Sequence, residues 1–79
     1  MQDAIFLKYK ELKQRIEDCR EDSIITQADF NQLNKEMSII FPYVNYYALY
    51  EIKINFKLLD NKLDIIAQKL KACIKKNRF

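Results

Sequence analysis

The side chains able to do chemistry fall into four groups. The first is a run of carboxylates, Glu17, Asp18, Glu21 and Asp22. Paired carboxylates can drive hydrolysis or hold divalent ions. Here no second ligand group and no glycine turn accompanies them, so they read as a solvated acidic patch, or as a contact for the basic end of a second chain. The second group is Cys19 and Cys73, the only cysteines. They form no CxxC pair, and no histidine is present to complete a metal set. Each falls on an apolar helical stripe and reads as a small buried hydrophobe. A disulfide between helix ends is the alternative. The absence of histidine also removes most general acid–base, triad and zinc chemistry. No catalytic set, no metal and no cofactor are expected.

Binding chemistry is better represented. Five of the ten residues 41–50 are aromatic: Phe41, Tyr43, Tyr46, Tyr47 and Tyr50. Tyrosine is large, rigid and tipped with a hydroxyl, which suits it to protein interfaces. The same run also reads as a wide core end whose hydroxyls reach water. The fourth group is the basic end: Lys69, Lys71, Lys75, Lys76 and Arg78, with no acid among residues 65–79. It could contact phosphates, or it could simply complement the negative end of a helix dipole. Arginine forks and a helix-turn-helix glycine, which base readout would favour, are missing.

The chain that must position these groups has 79 residues, enough for one domain. It has no glycine and one proline. A fold of tight turns or phosphate-cradling loops is therefore excluded, because no residue takes positive φ without cost. The net charge of +3 hides an asymmetry. Residues 1–52 carry six basic and nine acidic side chains, whereas residues 53–79 carry eight basic and two acidic. No secretory signal and no transmembrane span are apparent, so a cytoplasmic location is expected.

Helical periodicity organises the rest. Ile5, Tyr9, Leu12, Ile16 and Cys19 step by three and four residues and predict a first helix over about 3–20, with Asp3 at its start. Leu7 falls off that stripe. The segment 21–26 breaks the pattern. Thr26 and Asp29 then fit a capping box, with Ile25 and Phe30 as its hydrophobic staple. Phe30, Leu33, Met37 and Ile40 predict a second helix over about 27–40. Pro42 biases Phe41 away from the helical region, which predicts a break there and a third helix over about 43–76. A kink within one continuous helix is the competing geometry. Leu49, Ile52, Phe56, Leu59, Leu63, Ile66, Leu70 and Cys73 alternate steps of three and four along the third helix. Leu58, Ile65 and Ala72 flank that seam and broaden the apolar face.

The expected fold is all-α: one domain over residues 1–79, a helical hairpin packed on a long third helix, as a three-helix bundle or coiled coil. Residues 76–79 form a frayed basic tail. A third helix of 34 residues would be roughly 50 Å long, against roughly 27 and 21 Å for the others. Part of its seam would then lie uncovered, which predicts a homodimer through that seam. The expected function is a non-enzymatic interaction module, a small helical adaptor, chaperone or inhibitor. It would act through the seam and the aromatic patch on another protein. The alternative is a nucleic-acid-associated regulator, for example of a phage or plasmid, that uses the basic helix end.

Overall fold

The computed structural model of the chain describes residues 4–50 and 56–77, with only the backbone described for 46–50. Three helices, α1 (Ala4–Glu21), α2 (Gln27–Tyr50) and α3 (Phe56–Lys76), pack into one bundle, and no strand occurs among the described residues. The apolar rhythm read from the sequence is the core. Ile5, Tyr9, Leu12 and Ile16 of α1 meet Leu33, Met37 and Ile40 of α2 and Leu59, Leu63, Ile66 and Leu70 of α3. Phe30, Cys19 and Cys73 are half-buried against it.

The contacts fix the directions. Tyr9 lies against Phe41, and Lys13 reaches Asn34, so α1 and α2 are antiparallel. Asp29 meets Lys76 and Glu36 meets Lys69, so α2 and α3 are antiparallel as well. Consequently α1 and α3 run parallel, with Lys8 bridging to Asp60 and Asp64.

The α1–α2 connection turns without glycine. Ser23 takes φ of 60°, the left-handed region. Its amide donates to the Arg20 carbonyl at 3.1 Å, and the Ile24 amide donates to the Cys19 carbonyl at 2.8 Å. Those two bonds are a Schellman cap. The strain of a side chain in this region, about 1–2 kcal/mol, is borne by a serine. The capping box follows as expected: the Asp29 amide donates to Thr26 Oγ1 at 3.0 Å. Ile25 is buried and Phe30 half-buried beside it.

Pro42 does not break the chain. It lies inside α2, which continues to Tyr50, so the expected helices over about 27–40 and 43–76 are redrawn. The proline removes one backbone hydrogen bond, to the carbonyl of Ser38, at a cost of about 3 kcal/mol. Ser38 and Pro42 are both on the exposed side, where water can satisfy that carbonyl. Continuing the helix past Pro42 brings Val44 into line behind Ile40 and buries it completely. That burial contributes about 1.5–3 kcal/mol, which offsets much of the proline's cost. The apolar rhythm from Ile40 to Val44 crosses Pro42 in step.

This redrawing removes the length mismatch. The helices have 18, 24 and 21 residues and span comparable lengths. Leu59, Leu63, Ile66 and Leu70, assigned from sequence to a dimer seam, face the chain's own core instead, because α1 and α2 are long enough to cover them. Cys73 is half-buried at the same seam and Phe56 is exposed at its start. The side chain of Leu49 and all of Ile52 lie outside the described residues, as does Asp3.

Candidate functional site

Apart from that core, a second apolar stripe points outward. Ile39 and Tyr43, one turn apart on α2, are 59% and 62% exposed. Leu58 and Ile65, seven residues apart on α3, are each 55% exposed, and Ala72 extends the row. Two adjoining depressions run between the helices. Tyr43, Leu58 and Leu59 line one of about 410 Å³ with Ile39, Ile40 and Lys62. The next is bounded by Ile65, Ile66, Lys69 and Glu36, and shares Ile39, Ile40 and Lys62. The result is a shallow apolar groove along the α2/α3 seam, with Lys62 at its centre.

Its charges are distributed unevenly. Glu36 accepts from Lys69 Nζ at 2.9 Å and from Gln32 at 3.1 Å. Burial pushes its carboxyl up, but the bonds from Lys69 and Gln32 outweigh this and hold it below the usual range. Asp64, on the outer flank, is drawn toward α1 by Lys8 at 2.7 Å. The Lys8 ammonium is raised by its hydrogen bonds to Asp60 and Asp64. Lys62 is exposed, and no ion pair to it is found among the described residues. Lys35, one turn from Ile39, is also exposed.

The residues singled out from sequence are dispersed. Tyr43 lies in the groove. Phe41 instead faces α1, tilted on Tyr9 with ring centroids 5.5 Å apart, so the two aromatics sit on opposite sides of α2. The side chains of Tyr46, Tyr47 and Tyr50 lie outside the described residues. The basic end does not make one patch. Lys69 is held by Glu36 and Lys76 by Asp29, at 3.2 Å, while Lys71 and Lys75 are exposed together, one turn apart, on the opposite side of α3. Arg78 lies outside the described residues.

The remaining reactive groups are quiet. Glu17, Asp18, Glu21 and Asp22 are all exposed at the end of α1. No group of acids or cysteines among the described residues could hold a metal ion. Cys19 and Cys73 are free thiols, and burial pushes both up, away from nucleophilic thiolate. No described helix is long and apolar enough to cross a membrane.

Sequence reasoning found Tyr43 but missed Ile39 and treated Leu58, Ile65 and Ala72 only as a broadening of the core face. The signal was their seven-residue spacing, one position before Leu59, Ile66 and Cys73. The chain matches no protein-family model, no curated protein and no solved structure.

Proposed function

We propose that the chain is a non-enzymatic protein-interaction module, an adaptor, chaperone or inhibitor in kind, that binds another protein through the exposed α2/α3 groove. One observation carries this reading: Ile39, Tyr43, Leu58 and Ile65 stand exposed in adjoining rows although the core is complete without them. Single exposed apolar side chains are ordinary, but a contiguous set along a groove is the mark of an interaction site. Tyr43 adds an amphipathic aromatic of the kind that anchors interfaces.

The test is site-specific photo-crosslinking in the native cell. A crosslinker at position 39 or 65 is expected to trap a discrete protein adduct, whereas one at Gln14, on exposed α1, traps none. Groove positions that label no more than position 14 would sink the reading. The alternative, a nucleic-acid-associated regulator, rests on the exposed Lys71 and Lys75. It is weakened by the ion pairs that occupy Lys69 and Lys76. Its signature is DNA or RNA binding with a steep salt slope, lost in a Lys71→Ala, Lys75→Ala double variant.

A further inference from the structure

We infer that the occupant of the α2/α3 groove is an acidic amphipathic helix of another protein, and not a second copy of this chain; this rests on the groove being the binding site. The shape comes first. Leu58 and Ile65 are about 10 Å apart along α3 at 1.5 Å per residue. Ile39 and Tyr43 face them across the seam. A helix laid along such a groove presents apolar side chains at i, i+3, i+4 and i+7 to fill it.

Charge then selects the kind of helix. Of the acids at the groove's edges, Glu36 is paired with Lys69, and Asp64 shares Lys8 with Asp60 on the flank turned toward α1. Lys62 at the centre and Lys35 beside Ile39 leave the face with an excess of positive charge. A partner helix with carboxylates beside its apolar stripe meets both. One with lysines there places like charges together across a surface that binding dries out.

The same charge argues against a second copy. In a two-fold dimer the same patch faces itself, so residues near the axis meet their own counterparts. Lys62 lines both depressions, and pairing this face with itself brings two Lys62 ammonium groups together. A head-to-tail contact with α1 fares no better. On the outward face of α1, Leu7 is the one large apolar side chain strongly exposed, amid Glu11, Gln14 and Asp18.

Two labelled 18-residue helical peptides test this against the intact protein by fluorescence polarisation. Both carry leucine at the a and d positions of the heptad. One has glutamate at the flanking e and g positions and the other has lysine. The glutamate peptide is expected to bind at least tenfold more tightly than the lysine peptide. Lys62→Glu should reverse that order. Ile65→Asp, with Leu58→Asp as a second variant, should abolish binding while circular dichroism shows the helices intact. Sedimentation should find a monomer.

Equal binding of both peptides, lost in Ile65→Asp, would overturn the acidic assignment and leave the groove as a binding site. A dimer dissolved by Ile65→Asp would overturn it in favour of a second copy. Binding of neither peptide would also overturn it, and crosslinking at positions 39 and 65 then decides separately whether the groove binds protein at all.

Discussion

The two halves of the α2/α3 seam are built from the same pair of helices and treated in opposite ways. Toward the α2 N-terminus the seam is latched. Asp29 takes Lys76 Nζ and, at 3.3 Å, Asn77 Nδ2, while Asn77 also donates to the Cys73 carbonyl at 2.9 Å. Glu36 takes Lys69 one step further along. Past Ile39 no ion pair joins α2 to α3 among the described residues, and apolar side chains stand out on both helices. The core beneath is continuous, from Leu33 and Leu70 to Val44 and Leu59. Sealing an interhelical groove thus needs little here beyond a few ion pairs at its rim. Where apolar groups replace them, the helices still pack, and the surface above stays available.

The sharpest test of that division uses two leucines on α3. Leu63 is completely buried under the seam, and Leu58 is exposed above it. Leu63→Ala should cost about 2–5 kcal/mol in a urea unfolding titration, from lost burial and the cavity left behind. Leu58→Ala should change stability by about 0.5 kcal/mol or less. Comparable losses for the two would mean that the outer row is structural and that the groove is not a site.

How much of this could be read beforehand varies along the chain. The first helix, its stripe and the Thr26 cap were legible because each rests on local chemistry: periodic apolar residues and a hydroxyl three residues before an acid. The third helix's core row was legible for the same reason. Pro42 misled because its cost is local and its compensation is not. The gain from burying Val44 exists only once α1 and α3 are in place. The misplaced boundary then produced the idea of an over-long helix and an exposed core row. The outer row was in plain view at Leu58, Ile65 and Ala72, but heptad spacing alone does not say which of two neighbouring rows is covered. Ser23 could not be picked out either, since serine in the left-handed region has no sequence signature comparable to glycine.

The latched end makes smaller predictions, because each contact in it is partly solvated. Thr26→Ala removes the side-chain acceptor of the Asp29 amide and should cost about 1 kcal/mol. Because Asp29 also anchors α3 through Lys76 and Asn77, amide exchange should quicken at both the α2 N-terminus and the α3 C-terminus, and not around Val44. Ser23→Gly should act the other way. Glycine occupies φ near 60° without the Cβ penalty but loses more chain entropy on folding, so a net gain of about 0.5–1 kcal/mol in thermal or urea stability is expected. A loss on Ser23→Gly would mean that the serine side chain holds the loop by a contact more valuable than the strain it bears.

The smallest effect is the pH response, and its sign separates the latch from the bridge to α1. Burial pushes the Asp29 carboxyl up, but the hydrogen bonds from Lys76, Thr26 and Asn77 together bring it below its usual value, as Lys69 and Gln32 do for Glu36. Both groups therefore bind protons less readily in the folded chain than in the unfolded one. Their contribution is complete above the unfolded carboxylate range, about pH 4–4.5, and is lost as pH falls through the depressed folded values. Lys8 has the opposite sign, being raised by Asp60 and Asp64. Its contribution is complete below the unfolded lysine value, near pH 10.4, and is lost as pH rises through the higher folded one. With at least one partner of each pair largely in solvent, each pair contributes only about 0.2–1 kcal/mol. An Asp29→Asn, Glu36→Gln double variant should therefore flatten the acid limb of the thermal stability profile and leave the alkaline limb alone. Lys8→Met should do the reverse. If the acid limb is unchanged in the double variant, the latch is not electrostatic, and the difference between the two halves of the seam lies in packing alone.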